Sequence, residues 1–200
     1  VYAEWLEAAG KPTLLLYGHY DVQPPDPLEE WKSPPFEPTV RNDDIYARGA
    51  VDDKGQTYLL LKVVEGFLKT EGKLPINIKF LIEGEEEVGG QHISEYVAAR
   101  PDRLKANAAL ICDTEMFAPE LPTLTTGLRG LVYTEIEARG AGHDLHSGVY
   151  GGAAPNPFQA LAEMITQLKG PDGKIRIPGF YRRVKKPSAK ELEAWLRLPF

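Results

Sequence analysis

The sequence predicts an α/β fold, in which a mostly parallel sheet with helices on both faces is followed by the start of a second, smaller α/β domain. Over residues 1–122, short apolar runs alternate with helical patterns, which is typical of a largely parallel sheet. Beyond residue 122 a segment of alternating polar and apolar residues suits a half-exposed strand of an antiparallel or mixed sheet. We therefore expect one domain, itself partial, over residues 1–122 and an incomplete second domain over residues 123–200.

Three apolar runs in the first domain predict buried strands, at residues 13–18 (TLLLYG), 76–82 (INIKFLI) and 108–112 (AALIC). Between them, apolar side chains at helical spacing predict a long helix over residues 56–68 and a short helix around residues 93–97. Each of the three runs leads into polar or acidic residues. Open α/β sheets place their ligand sites at this end of the strands.

The second domain begins with a predicted strand over residues 131–138 (LVYTEIEA), whose apolar and acidic side chains alternate. A helix is predicted after it, with Asn156 as its cap and Pro157 at its first position. Ser188, with Glu191 three residues later, predicts a capping box that opens another helix.

Composition and charge exclude several classes of protein. The apolar fraction of 42% is that of a folded domain, and no apolar run approaches the roughly 20 residues that cross a bilayer. With 29 acidic against 23 basic residues, the net charge of −6 argues against nucleic acid or an anionic membrane as partner. The single cysteine, Cys112, excludes a disulfide framework and a Cys-rich zinc site, so a metal would be held by His, Asp and Glu.

Polar clusters follow the predicted strands or precede the long helix, and they contain the candidate functional residues. Each cluster also fits an ordinary role on its own: a histidine satisfied within a loop, a helix cap, or a solvated acidic turn. Spacing alone does not choose between the two acids that follow the third strand. The clusters are His19 with Asp21, the pair Asp52-Asp53, the run Glu85-Glu86-Glu87, and Asp113 with Glu115 as its alternative.

Taken together, one histidine and several carboxylates at one sheet edge predict a dinuclear metal site. A ligand set without sulfur suits zinc, cobalt or manganese, with zinc the first choice. Two such ions, about 3.5–4 Å apart, can share a bridging carboxylate and a bridging water. In the acidic run, one carboxylate could bind a metal while its neighbour acts as general base.

The glycine-rich loop over residues 142–152 contains two more histidines. His143 is interpreted as a structural loop residue, because the loop does not hold the two rings on one face as a helix would. His146 lies between glycines of this loop and could donate a hydrogen bond to a developing oxyanion.

Six motifs in collinear order resemble the co-catalytic zinc metallopeptidase family 20, of the carnosinase and cytosolic non-specific dipeptidase type. Acetylornithine deacetylase, aminoacylase and glutamate carboxypeptidase are relatives within that family. The motifs are GHYDVQP at 18–24, EWKSPPFEP at 30–38, IYARGAVDDKG at 45–55, EGEEEVGG at 83–90, TTGLRG at 125–130 and DLHSGVYGG at 144–152.

The resemblance implies a role for each metal ligand. His19, Asp52 and Asp113 match the ligands of one zinc ion, Asp52 matches the carboxylate that bridges to a second zinc, and Glu87 matches a ligand of that second ion. It also implies a cis peptide bond between Asp52 and Asp53. Mn²⁺ or Co²⁺ could replace the two Zn²⁺ ions.

The resemblance likewise implies the catalytic residues. Asp21 would orient the His19 ring, and Glu86 would be the general base that passes a proton from water to the leaving amine. His146 would reach across a homodimer, from a lid and dimerisation domain, to the partner's active site. The expected reaction is hydrolysis of the amide bond of dipeptides or short peptides, in a cytoplasmic enzyme.

Two alternatives remain open at this stage. The first is an N-acyl-amino-acid deacylase or a carboxypeptidase on the same scaffold, and the second is a catalytically inactive, dimer-forming protein. None of the four histidines fits the ligand that the family supplies to its second zinc, since His92 is expected on a helix surface. We therefore expect these 200 residues to be part of a longer enzyme.

Overall fold

The computed structural model describes residues 1–125 and 127–199, and a mixed sheet organises the first of its two compact units, Val1–Thr125. Short 3-10 turns at Leu28–Glu30 and Glu86–Val88 supplement the regular elements of this unit. In chain order those elements are β1 (Tyr2–Trp5), β2 (Thr13–His19), β3 (Thr39–Arg41), β4 (Asp44–Tyr46), α1 (Lys54–Glu71), β5 (Asn77–Glu83), α2 (Gln91–Ala99), α3 (Pro101–Leu104) and β6 (Ala108–Ile111).

The four-stranded sheet has the order β1-β5-β2-β6 and is mostly parallel, as the sequence predicts. Strand β2 pairs in parallel with β5 on one side and with β6 on the other, while β1 runs antiparallel to β5. In this register His19 is opposite Glu83, and Tyr17 is opposite Ile111. The carboxyl ends of β2, β5 and β6 therefore lie at one edge of the sheet.

The core of the first unit lies between the sheet and α1. Leu16 and Phe80 are buried on adjacent strands, and Leu60 and Val64 of α1 pack against the same cluster. Their spacing of four residues places the two helix side chains on one face. Burying each large apolar side chain contributes about 1.5–3 kcal/mol, so this face fixes α1 against the sheet.

A two-stranded hairpin, which the sequence analysis did not predict, lies outside the main sheet. Strands β3 and β4 pair antiparallel around Asn42 and Asp43, both of which have positive φ, 52° and 67°. Two such residues form the tight hairpin turn whose twist matches that of the strands, and Asn and Asp tolerate it best after glycine.

The second unit, which comprises the rest of the chain, contains three described α-helices, α4 (Ser147–Tyr150), α5 (Pro157–Leu168) and α6 (Ala189–Trp195), and a 3-10 turn at Phe180–Arg183. The predicted caps are confirmed. Asn156 accepts a hydrogen bond from the backbone N–H of Phe158 at 2.9 Å, and Ser188 and Glu191 form the reciprocal capping box. No helix among the described residues has both the length and the apolar content needed to cross a membrane.

The strand predicted over residues 131–138 is wrong. Residues 127–141 contain neither helix nor strand, and their apolar side chains apart from Ala138 are exposed, with Tyr133 at 90%. A strand exists only when a neighbour supplies its hydrogen bonds, and no other described segment pairs with this one. The alternating pattern is therefore present without the pairing that would turn it into a strand.

Candidate metal centre

The buried imidazole of His19, at the end of β2, is the centre of a polar cluster. Its Nδ1 atom lies 3.2 Å from Oδ1 of Asp21, and its Nε2 atom lies 3.0 Å from Oδ1 of Asp52 and 3.7 Å from Oδ2 of Asp113. One ligand atom from each of His19, Asp52 and Asp113 falls within 4.8 Å of the others. These three side chains converge as ligands of a metal ion do.

The parallel register of the sheet brings two of these residues together. Tyr17 of β2 is opposite Ile111 of β6, and His19 and Asp113 each follow two residues later. Residues that lie equally far beyond a paired position on two neighbouring parallel strands are themselves adjacent, so the side chains of His19 and Asp113 lie side by side. Glu115 is exposed and does not belong to the group of three.

The segment before α1 supplies the third residue, Asp52. The Asp52-Asp53 peptide bond is cis, as the family resemblance implies. Asp53 occupies the N-cap position of α1, but its side chain makes no capping hydrogen bond. Its Oδ2 atom instead accepts hydrogen bonds from the backbone N–H of His19 and the hydroxyl of Thr57, each at 3.0 Å. The interpretation of this acidic pair as a helix cap is therefore wrong for the Asp53 side chain.

The acidic run after β5 is held against the loop that follows β2. Glu87 donates its backbone N–H to Oδ2 of Asp21 at 3.0 Å. The side-chain amide of Gln23 donates to Oε2 of Glu87 at 2.7 Å. The carboxylate that contacts the His19 ring thus also anchors the Glu86–Val88 turn.

Two residues that support the site were not singled out from the sequence. Gln23 lies in the same motif as His19, and its position in that loop could have indicated that it supports the site. Thr57 is one turn into α1 from Asp53, and a threonine at that spacing gives no distinctive signal. Its contact depends on the approach of the helix start to β2.

Excess negative charge surrounds the histidine. Burial and the carboxylates of Asp53 and Asp52 raise the pKa of Asp113. Partial burial and nearby carboxylates, Asp113 first, raise the pKa of Glu86 despite the opposing effect of His19. Burial alone would lower the pKa of His19, but the carboxylates around it raise that pKa. The raised pKa values of Asp113 and Glu86 reflect burial and negative charge gathered in one place, which a divalent cation would stabilise.

The remaining candidates lie in different surroundings. His92 is exposed on α2, as expected, and its Nδ1 atom lies 2.7 Å from Oε1 of Glu85. In the second unit His143 is exposed, and His146 precedes α4 as its N-cap residue. Nδ1 of His146 accepts the backbone N–H of Gly148 at 3.0 Å.

The donor set fits a divalent transition metal. It offers one imidazole nitrogen and carboxylate oxygens without sulfur, a combination that zinc, manganese and cobalt accept. Asp21 lies at the second ring nitrogen of His19, where protein metal sites usually place a carboxylate or carbonyl partner.

Relatives with curated names support a peptidase. The chain is 38% identical over 196 residues to the "Cys-Gly metallodipeptidase DUG1" of Candida albicans, covering 95% of this chain and 40% of that relative. It is 34% identical over 187 residues to the human "Beta-Ala-His dipeptidase", covering 92% of this chain and 37% of that protein. The chain therefore spans about 40% of the length of these relatives.

Solved structures agree with the fold. A crystal structure of the M20 family metallo-carboxypeptidase Sso-CP2 from Sulfolobus solfataricus matches with a TM-score of 0.82 and 36% identity, over all of this chain and 45% of that chain. The di-peptidase Dug1p from Saccharomyces cerevisiae matches with a TM-score of 0.72 and 28% identity, over 100% of this chain and 42% of that chain. These matches confirm the predicted α/β fold.

Family models cover most of the sequence. The model for "Peptidase family M20/M25/M40" matches residues 15–129, and the model for "Peptidase dimerisation domain" matches residues 126–195. The predicted resemblance is thereby confirmed; the family implies a divalent metal, and the His19, Asp52 and Asp113 group is a candidate site for it. The chain belongs to peptidase family M20/M25/M40.

Proposed function

We propose that the complete protein is a metal-dependent dipeptidase, which hydrolyses the amide bond of dipeptides or short peptides. The observation that carries this proposal is the convergence of His19, Asp52 and Asp113 at the sheet edge of an M20 family chain. The curated relatives support the substrate class, since both the Candida albicans and the human protein are named as dipeptidases.

The proposed cofactor is a pair of Zn²⁺ ions, which Mn²⁺ or Co²⁺ could replace. His19, Asp52 and Asp113 would hold the first ion, and Asp52 with Glu87 would hold the second. None of the four histidines of the sequence is proposed as a ligand of the second ion, so a further ligand would come from another part of the complete protein. When bound, divalent ions polarise a scissile carbonyl and make water a nucleophile near neutral pH.

Glu86 is the proposed general base. It begins the turn after β5 and remains accessible to solvent, and it is close enough to Asp113 and His19 for their charges to change its pKa. Its raised pKa suits a group that accepts a proton from the attacking water and returns it to the leaving amine. Asp21 would keep the His19 ring oriented through the Nδ1 contact.

The second unit is proposed to form a homodimer and to contribute His146 to the partner's site. The match of residues 126–195 to a peptidase dimerisation domain supports this assembly. Because Nδ1 of His146 accepts the Gly148 N–H, the proton of the neutral ring lies on Nε2. That atom could donate a hydrogen bond to the oxyanion that forms during amide hydrolysis.

The domain division and the location complete the proposal. Residues 1–122 would belong to the catalytic domain and residues 123–200 to the lid and dimerisation domain, consistent with the ranges that the two family models match. The proposed location is the cytoplasm, and fractionation of cells that express the complete protein would test it.

A second candidate function is carboxypeptidase or N-acyl-amino-acid deacylase activity on the same scaffold. The observation that favours a carboxypeptidase is the match to the structure of Sso-CP2, which is described as a metallo-carboxypeptidase. Assays of the complete protein on unblocked dipeptides, longer peptides and N-acyl amino acids separate these activities. Activity confined to longer peptides or to N-acyl substrates would contradict the dipeptidase proposal.

The decisive variant is Glu86→Gln, with Glu85→Gln as its matched control. The two residues are adjacent, but Glu85 pairs with His92 on the surface. We expect Glu86→Gln to lower turnover of an unblocked dipeptide at least about 100-fold with metal still bound, because general base catalysis contributes about 10²–10⁴. Glu85→Gln should stay within about threefold of wild type. Equal turnover in both variants would contradict the role of Glu86 as general base, and no turnover in the wild type would favour an inactive, dimer-forming protein.

A further inference from the structure

Asp53 is a fully buried carboxylate between the end of β2 and the start of α1. An aspartate at the N-cap of a helix normally lies near the surface and accepts a backbone N–H of the first helical turn. Asp53 makes no such bond. Bonds other than a helix cap therefore determine the orientation of its side chain.

The two oxygens of this carboxylate have different surroundings. Oδ2 accepts the backbone N–H of His19 and the hydroxyl of Thr57, each at 3.0 Å. Oδ1 is buried and accepts no hydrogen bond from the described residues. Burying a carboxylate oxygen without a partner is unfavourable, so the two hydrogen bonds to Oδ2 are what hold the side chain in this place.

The approach of Asp53 to the strand depends on Gly18. A Cβ atom at that position would lie 2.9 Å from Oδ2 of Asp53 and closer still to Oγ1 of Thr57. Carbon and oxygen do not approach so closely without displacing one of the groups. A residue without a side chain next to His19 therefore permits the bond between Asp53 and the His19 backbone.

This bond connects two parts of the ligand set. Asp52 and Asp53 are consecutive, so the hydrogen bond that the His19 backbone N–H donates to Asp53 restrains the Asp52 carboxylate relative to the His19 ring. The two side chains are 3.0 Å apart at their closest atoms. Two metal ligands that are directed at one point before the metal binds must be held there by the surrounding protein.

We propose that Asp53 is a positioning residue of the metal centre, which holds His19 and Asp52 at metal-binding distance by accepting the His19 backbone N–H. This inference rests on the proposed metal-dependent function. Asp53 itself is not assigned as a metal ligand, and it acts through the two residues that are.

The test measures the affinity of the complete protein for Co²⁺ by competition with a chromophoric chelator, together with the visible absorption spectrum of bound Co²⁺. Three variants are compared with wild type. Asp53→Ala removes the acceptor, and Asp53→Asn keeps an oxygen that can accept both bonds. Asp102→Ala, the control, removes an aspartate from the first turn of α3.

We expect Asp53→Ala to weaken Co²⁺ binding about 10–100-fold and to change the spectrum, as the loss of groups that orient metal ligands usually does. Asp53→Asn and Asp102→Ala should remain within about threefold of wild type and keep the wild-type spectrum. If the alanine variant does not fold, Asp53→Ser takes its place, because a serine hydroxyl is too short to reach the His19 N–H.

Two results would overturn the inference. Wild-type affinity and spectrum in Asp53→Ala or Asp53→Ser, even with lower stability of the metal-free protein, would show a structural role alone. A tenfold or greater loss in Asp53→Asn would show that the charge of Asp53 acts, and not its position. Failure of the proposed function is distinguishable, since the wild-type protein would then bind no Co²⁺ at this site, and the inference would be overturned with it.

Discussion

The Nδ1 atom of His19 lies 3.2 Å from Oδ1 of Asp21, on the side of the imidazole opposite the nitrogen that faces Asp52. A carboxylate in this position accepts a hydrogen bond from Nδ1–H, which keeps the proton on Nδ1 and leaves the lone pair of Nε2 directed at the cluster. The other oxygen of Asp21 accepts the backbone N–H of Glu87. One side chain therefore connects the histidine with the acidic turn.

Replacing Asp21 tests this connection. We expect Asp21→Ala to weaken zinc binding about 10–100-fold, because the ring loses the group that fixes its tautomer and orientation. Competition with a chelator measures the affinity, and Asp44→Ala, at an exposed position of β4, is the control. A loss of less than about threefold in Asp21→Ala would contradict the orienting role.

The stability of the metal-free protein should fall as the pH rises. The folded-state pKa values of His19, Asp113 and Glu86 are raised, so the native state binds more protons than the unfolded state and is favoured at lower pH. Stability is lost from about pH 4 upward for the carboxylates and above about pH 6.5 for the histidine. The pKa of Asp21 is lowered, but its opposite effect lies below about pH 4.

Urea unfolding with a chelator present measures this effect at about pH 5.5 and about pH 8. We expect the lower unfolding midpoint at the higher pH. An equal or higher midpoint at about pH 8 would contradict the charge distribution described for the site.

Asp113→Asn should separate metal binding from stability. It removes a partly buried charge from among other carboxylates, so we expect the metal-free protein to gain about 1 kcal/mol at neutral pH while losing zinc affinity. Glu115→Gln, at the alternative acid after the same strand, should leave both quantities unchanged. The assignment of Asp113 is wrong if Glu115→Gln abolishes zinc binding and Asp113→Asn does not.

Subunit mixing tests the proposed contribution of His146 to a partner. Glu86→Gln and His146→Asn should each be nearly inactive alone. If His146 acts across the dimer, a mixed dimer has one site with both residues intact, and an equal mixture should recover about one quarter of wild-type turnover. No recovery after the subunits have been mixed and exchanged would mean that His146 acts within its own subunit, and full activity of His146→Asn alone would mean that it does not act at all.

The main elements of the first unit could be predicted because their patterns are local. The apolar runs that became β2, β5 and β6 are long enough to be recognised alone, and the long helix repeats its apolar residues over several turns. Strand β1 has only four residues and depends on pairing with β5. The segment at residues 131–138 forms no strand, because its alternating residues have no pairing partner among the described residues.

The site could be predicted as a set of residues but not as a geometry. Asp113 and Glu115 follow the same strand, and only the register of β6 against β2 places Asp113 beside His19. The sequence also could not show that Asp53 accepts the His19 backbone N–H instead of capping its helix, because a helix start specifies a backbone position and not the direction of a buried side chain.

Anomalous X-ray scattering at the zinc edge, from crystals of the complete zinc-loaded protein, tests the central claim most directly. We predict a peak about 2.0–2.2 Å from Nε2 of His19 and from carboxylate oxygens of Asp52 and Asp113. No peak among these three side chains, or zinc held by other residues, would contradict the account.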